Sequence, residues 1–218
     1  MYDLHTHTTF SDGVLIPAEL IIRAKNMGYK GIAITDHADF SNFELIIKNQ
    51  LKLKDEYADL NFKLLIGIEI THVVPDRIDK LAKLAKEAGA DIVVVHGETI
   101  VEPVLKGTNK AAVESRYVDI LAHPGIISEE DMMIAVKNGK YLEITTRKGH
   151  SLTNGHVFKT GKDLGAKFLI NNDAHEPKDF VSEKTAVNIV LGAGGTIEDF
   201  REMIKNAEEF FIKNKRRH

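Results

Sequence analysis

The chain contains no cysteine among its 218 residues, which excludes disulfides, thiolate metal ligands and a cysteine nucleophile. Any metal it binds must be held through nitrogen and oxygen. No apolar run approaches the roughly 20 residues that a membrane-spanning helix needs. The chain opens on Tyr2-Asp3-Leu4-His5 without the basic-then-apolar pattern of a signal peptide, so a cytoplasmic location without membrane contact is expected. Charge of one sign is lacking too: a formal net charge of -3 supplies no global basic field for nucleic acid. The run from Lys213 to Arg217 is locally basic and reads as a solvated helix end rather than a binding arm. Linkers, low-complexity stretches and internal repeats are absent. With 43% hydrophobic residues over 218 positions, a single domain spanning 1–218 around one core is expected.

What is present is alternation. Short apolar segments bounded by turn residues lie near Tyr2 to Thr6, Gly31 to Thr35, Lys63 to Ile70, Ile92 to His96, Ile120 to His123, Tyr141 to Thr145 and Lys167 to Asn171, the pattern of strands buried on both faces. Between them, helical spacing places Leu20, Ile21, Ala24 and Met27 on one face, after Pro17 and before Gly28. The same spacing recurs in Ile78, Leu81, Leu84, Ala85 and Ala88 before Gly89. Ser128 with Asp131 opens a further helix in capping-box fashion, and Gly139 closes it. A last helix is expected to start at Thr196 and to bury Phe200, Met203, Ile204, Ala207, Phe210 and Phe211. Strand-helix alternation with short connections predicts an α/β fold with a parallel sheet, and about seven strands predict closure into a barrel.

Histidines and acids stand at or just past the carboxyl ends of these segments. They are His5 and His7 in DLHTHT, Asp12 in SDG, His37 in AITDH, Glu69 in LLIGIE, His96 in VVVH, His123 in ILAH, and Asp173 and His175 in LINNDAH. Parallel strands collect their carboxyl ends at one rim, so residues remote in sequence meet there. His5 and His7, two apart on a strand, point to the same side. An H-x-H pair alone is weak evidence; its force comes from the recurrence of ligand-type residues at the other strand ends. A catalytic zinc typically takes three protein ligands and water. Nine such residues therefore suit two or three ions, with carboxylates such as Glu69 and Asp173 able to bridge. Imidazole and carboxylate without sulfur suit Zn²⁺, Mn²⁺ or Fe²⁺, and clustered ions of this kind can hold a phosphoryl group and activate water against it.

These motifs resemble those of the PHP (polymerase and histidinol phosphatase) phosphoesterases. HTHTTFSDG is similar to the family's first motif, TDHAD to its second, GIE to its third and NDAH to its fourth, with His96 and His123 as the additional ligands. The resemblance runs from His5 to His175 and implies a distorted (β/α)7, TIM-like barrel with a trinuclear site. In that site His5, His7, Glu69 and Asp173 would hold one ion, Asp12, His37 and His175 a second, and Glu69, His96 and His123 the third. Asp12 occupies a position where some members have histidine.

Residues near the same rim complete the expectation. Arg147 follows the segment Tyr141 to Thr145 and offers a guanidinium fork for substrate phosphate in a catalytic role. Lys106, at the head of Gly107-Thr108-Asn109, is a second phosphate candidate, and His150 a further substrate contact. Asp36, beside His37, is assigned to the catalytic set as an acceptor that orients a ligand imidazole, with the tethering of a loop as the alternative. Glu98 reads as a solvated loop acid, and Glu143 either supports a ligand or neutralises Arg147. The expected activity is that of a metal-dependent phosphoric ester hydrolase, in which metal-bound hydroxide attacks a small phosphate ester of the histidinol phosphate or nucleotide kind. Nucleic acid is not indicated as a partner. The rival readings are an amidohydrolase-type metal hydrolase, which commonly bridges its metals with a modified lysine, and a PHP-like barrel serving as a subunit of an RNA-processing complex.

Overall fold

A computed structural model describes residues 1–57 and 61–215. The elements run β1 (Tyr2–Asp3), α1 (Pro17–Asn26), β2 (Gly31–Ile34), β3 (His37–Ala38), α2 (Phe43–Glu56), β4 (Lys63–Ile70), α3 (Pro75–Glu87), β5 (Ile92–His96), α4 (Thr108–Glu114), β6 (Ile120–Ala122), α5 (Glu129–Lys137), β7 (Tyr141–Thr145), α6 (Asn154–Lys162), β8 (Lys167–Asn171), α7 (Glu183–Gly192) and α8 (Ile197–Lys215). All strand pairings are parallel, in the order β1-β2-β4-β5-β6-β7-β8, with β3 paired to β4 alone. The circle is nearly closed by a parallel bridge between Thr6 and Ala174, where the His7 amide donates to the Ala174 carbonyl at 2.8 Å. This is a distorted seven-stranded barrel wrapped by helices.

Each predicted strand segment forms, with shorter limits at β1, β2 and β6. Helices α2, α6 and α7 and the two-residue strand β3 were not visible in the periodicity. Ser128 accepts a hydrogen bond from the Asp131 amide at 3.0 Å and caps α5 as expected. Thr196 and Asp199 form a reciprocal box at the start of α8, the Thr196 amide donating to Asp199 at 2.7 Å and the Asp199 amide to Thr196 at 3.2 Å. Of the basic tail, Lys213 is exposed, while Arg216 and Arg217 lie outside the described residues.

Period-two alternation sorts each strand between two cores. Leu4, Ala33, Leu65, Ile92, Val94, Ile120 and Leu169 point into the barrel, where Phe210 and Phe211 of α8 join them. Val93, Val95, Leu121 and Ile144 point outward and are covered by the surrounding helices. Helix α8 closes the end where the strands begin: Phe211 lies 5.2 Å from the Tyr2 ring and Phe210 5.8 Å from the Tyr141 ring. Each buried phenylalanine contributes about 1.5–3 kcal/mol of transfer free energy. With that end sealed, the opposite rim is left to polar side chains.

The seam between β1 and β8 is held largely by side chains. The Leu4 amide donates to Asn171 Oδ1 at 2.9 Å, and Asn172 donates through its amide (3.2 Å) and Nδ2 (2.7 Å) to the Asp3 carboxylate. Burial pushes the Asp3 carboxyl up to about 7, although hydrogen bonds from Asn172 and His5 oppose the shift.

Candidate metal centre

The segment that continues β1 places His5 and His7 toward the centre and turns Thr6 away, where its hydroxyl donates to the Ala33 carbonyl at 2.7 Å. His5 Nε2 faces Glu69 at 3.3 Å and Asp173 at 3.6 Å. His7 Nε2 lies 3.2 Å from Asp173 and 3.6 Å from Glu69. His123 Nε2 faces the same two acids at 3.4 and 3.7 Å. On the open side, Asp12 Oδ1 lies 3.2 Å from His175 Nε2 and 3.6 Å from His37 Nε2. Eight of the nine residues singled out in the sequence therefore meet around one centre, and His96 adjoins it through His123, their ring centroids 4.5 Å apart. His123 and Asp173 reach it with φ of 23° and 52°, a backbone conformation that costs on the order of 1 kcal/mol or more and collects at functional sites.

A common arrangement orients the rings. His5 Nδ1 donates to Glu143 Oε2 at 2.8 Å, His175 Nδ1 to the Asp173 carbonyl at 2.9 Å, and His96 Nδ1 to the Gly97 carbonyl at 3.2 Å. The Thr71 hydroxyl donates to the Glu69 carbonyl, so it accepts from His37 Nδ1, 2.6 Å away. At His5 and His175 the proton sits on Nδ1 and the Nε2 lone pair is turned inward, the arrangement that outer acceptors impose on metal-ligating histidine, whereas His37 Nδ1 also lies 2.8 Å from Glu69 Oε2. Glu143 is thereby a support for His5, held in turn by Asn171 Nδ2 at 3.0 Å, and not a partner of Arg147.

The inward atoms have no hydrogen-bond partner of their own. His5 Nε2, both nitrogens of His7, both oxygens of Glu69, His123 Nδ1 and Asp173 Oδ1 are buried without one. Orphaned polar atoms cost about 1–3 kcal/mol each, and this many among packed imidazoles and carboxylates fit a site for cations. Four subsets bring ligand atoms within 4.8 Å of one another: His7-Asp12-His37-His175, His5-His7-Glu69, His5-His123-Asp173 and His96-His123-His150. This grouping differs from the expected one: His7 also reaches the Asp12 set, His123 joins His5 and Asp173, and His150 takes the place of Glu69 beside His96 and His123.

The charges are tightly balanced. Burial opposes protonation of His5, but Glu143, Glu69 and Asp173 outweigh it and hold the imidazole well above its ordinary value. His37, opposed by burial and favoured by Glu69, is raised to about 9. Burial works to raise Glu69, yet His5 and His37 hold it well below the usual carboxylate range. Burial dominates at Asp173, which is raised, and at His7, which burial and His37 keep well below its ordinary value. A divalent cation held here would take the place of the protons that these acids draw onto the imidazoles.

The remaining sequence candidates separate. Arg147 borders the cleft: its Nε lies 3.9 Å from Asp173, and its Nη1 pairs at 2.8 Å with Asp179, a carboxylate that also accepts from the His175 and Glu176 amides. His150 lies in the cleft wall, its ring stacked on His123 with centroids 4.2 Å apart. The catalytic assignment of Asp36 is corrected. Its carboxylate turns from the cleft and accepts from the Thr8 amide and hydroxyl, Ser11 Oγ and Gln50 Nε2 at 2.6–2.8 Å, so it anchors the loop that presents Asp12. Gly13 keeps that loop against the first strand, since a Cβ there would collide with the His7 carbonyl. The substrate-contact assignment of Lys106 is also corrected: it lines a separate groove with Val74, Pro75, Lys110 and Glu114. Glu98 clamps the start of α4 by accepting from the Gly107 and Asn109 amides.

The cleft itself has a volume of about 410 Å³ and is walled by Asp12, His37, His96, Arg147, His150, Asp173 and His175 together with Glu102, which sequence reasoning missed. Glu102 stands in an irregular loop six positions past His96, where neither period nor motif marks it. Its carboxylate bonds His96 Nε2 at 2.9 Å and is held down to about 2, chiefly by that hydrogen bond. The lysines that open β4 and β8, Lys63 and Lys167, stand at the far ends of their strands.

Comparison with known proteins agrees with this geometry. The chain is 46% identical to an uncharacterized protein of Methanocaldococcus jannaschii over 97% of its own length and 98% of the relative's. It is 26% identical to a probable phosphatase of Thermoanaerobacter sp. over 99% of this chain and 95% of that one. Its fold is similar to that of the histidinol phosphate phosphatase of Lactococcus lactis, crystallised with zinc, L-histidinol and phosphate. That similarity has a TM-score of 0.60 at 17% identity and covers 89% of this chain and 94% of that one. The PHP domain family model matches residues 3–117. The chain belongs to the PHP domain family.

Proposed function

We propose that the chain is a metal-dependent phosphoesterase acting on a small phosphate ester, of the histidinol phosphate or nucleotide kind, at a cluster of two to three divalent ions. The observation that carries the reading is the buried cluster of His5, His7, Glu69, His123 and Asp173, with donor atoms that lack hydrogen-bond partners, beside a cleft that Asp12, Asp173 and Arg147 line. His5, His7, Asp12, His37, Glu69, His96, His123, Asp173 and His175 are the residues that would hold zinc, manganese or iron. When bound, such ions would supply Lewis acidity and lower the pKa of water for phosphoryl chemistry. The chain's residues do the rest. Glu143 and the Asp173 carbonyl fix which nitrogen His5 and His175 offer. Asp179 holds Arg147 beside Asp173, where its fork can bind phosphoryl oxygens and stabilise the charge that develops on them. The zinc, L-histidinol and phosphate in the Lactococcus lactis relative's crystals support the substrate class.

Elemental analysis of protein reconstituted with Mn²⁺ or Zn²⁺ tests the reading, together with a panel of phosphomonoesters and diesters. Two to three ions per chain and turnover of at least one phosphate ester are expected. Fewer than one ion per chain, or a loaded protein that hydrolyses amides but no phosphate ester, overturns it.

A further inference from the structure

We propose that the ion at His96 and His123 has two ligands in this chain beyond the nine of the motifs: His150, and Glu102 from the loop after β5. The inference rests on the metal-centre reading above and adds to it two ligands at one position.

Three observations converge. His96, His123 and His150 are all buried and offer ring nitrogens within 4.8 Å of one another. The outer nitrogens of two of them are already engaged, His96 Nδ1 by the Gly97 carbonyl and His150 Nδ1 by Thr99 Oγ1 at 2.8 Å, which leaves both Nε2 atoms facing the cleft. Those two atoms share one carboxylate: Glu102 Oε2 lies 2.9 Å from His96 and Oε1 3.4 Å from His150. Three imidazoles and one carboxylate make the four-ligand nitrogen and oxygen set that Zn²⁺ takes in tetrahedral sites.

The loop is built to keep the carboxylate there. Glu98 accepts from the Gly107 amide at 2.9 Å and the Asn109 amide at 3.0 Å, which draws the two ends of the loop together. Thr99, within the same loop, holds His150. One short segment thus positions both added ligands, and Thr99 supplies the outer hydrogen bond that ligating histidines characteristically make. An ordinary surface pair of Glu102 with protonated His96 would need none of these supports.

The test compares the wild-type chain with Glu102→Gln and His150→Ala, each loaded with Co²⁺ and then titrated with a chelator, with circular dichroism as the check on folding. The readouts are ions retained per chain and the visible Co²⁺ spectrum, which reports coordination number independently of activity. Each variant should bind one ion about 10- to 100-fold more weakly than wild type, hold the others unchanged and show an altered spectrum. Wild-type retention and spectrum in both variants overturn the proposal while leaving the metal centre intact; a wild-type chain that takes up no Co²⁺ overturns the metal centre itself. Glu102 is half exposed, so Glu102→Gln folds and decides the carboxylate's role even where His150→Ala does not.

Discussion

Arg147 and Asp36 show how position decides what a charged side chain does. A guanidinium has no lone pair to give a cation, so Arg147, 3.9 Å from Asp173, borders the centre without competing for metal. Arg147→Ala is expected to leave the ion count unchanged and to lower kcat/KM for the hydrolysed ester about 10- to 1000-fold, with Arg147→Lys recovering part of the loss because a point charge does not reproduce the fork. Steady-state kinetics beside elemental analysis provide the check. Asp36 has the opposite profile. It receives four hydrogen bonds in a fully buried setting, and removing it strands the donors of Thr8, Ser11 and Gln50. Asp36→Ala should destabilise the fold by about 2–4 kcal/mol and weaken the ion held by Asp12, both read from urea unfolding with and without added metal.

Among the elements, β4 and α8 carry the architecture. Strand β4 pairs with β2 through Lys63–Ile66 and with β5 through Gly67–Ile70, and a Cβ at Gly67 would collide with the Ile92 carbonyl, so only glycine lets the two neighbours approach at the crossover. Glu69 is thus presented from the most constrained strand of the barrel. Helix α8 is pinned at the opposite end by Tyr2, whose ring is 3% exposed and whose hydroxyl, at the edge, donates to Glu208 at 2.8 Å. Burial, with Glu208, pushes that phenol from 10.0 up to about 12. A raised folded-state pKa in an acid means that folding favours the protonated form. This contribution is therefore fully present below the unfolded value near 10 and is lost as the pH rises toward 12. Wild-type stability should fall more steeply than that of Tyr2→Phe between about pH 9 and 11, a difference that urea midpoints at the two pH values would show; equal slopes would mean that the phenol does not differ between folded and unfolded states.

For the whole molecule, a barrel that converges buried acids and imidazoles on one point is destabilised by them until a cation binds. Loading with Zn²⁺ or Mn²⁺ at about 100 times the dissociation constant adds about 2.7 kcal/mol per site, which for a chain of this size raises Tm by about 5–10 °C. Calorimetry of metal-loaded against chelator-treated protein measures it, and an unchanged Tm would contradict a metal-linked fold. Much of this organisation was legible in the sequence. The seven strand segments were visible because buried parallel strands are short, apolar and bounded by turn residues. That residues as distant as His5 and Asp173 share a rim follows from parallel topology alone. Helices α2, α6 and α7 escaped because their apolar faces are broken by polar residues and glycine, so packing against the barrel, not local pattern, makes them helical. The loops were least legible. That Asp36 turns to Thr8 and Ser11, that Lys106 faces another groove, and that Glu102 lies over His96 and His150 depends on contacts between segments remote in sequence. An irregular backbone has no period from which a side chain's direction can be read. The sequence by itself determined the barrel and which residue types stand at its strand ends; the tertiary structure decided which nitrogen each histidine offers and which charges face the cleft, because both are set by partners that only folding brings within hydrogen-bonding distance.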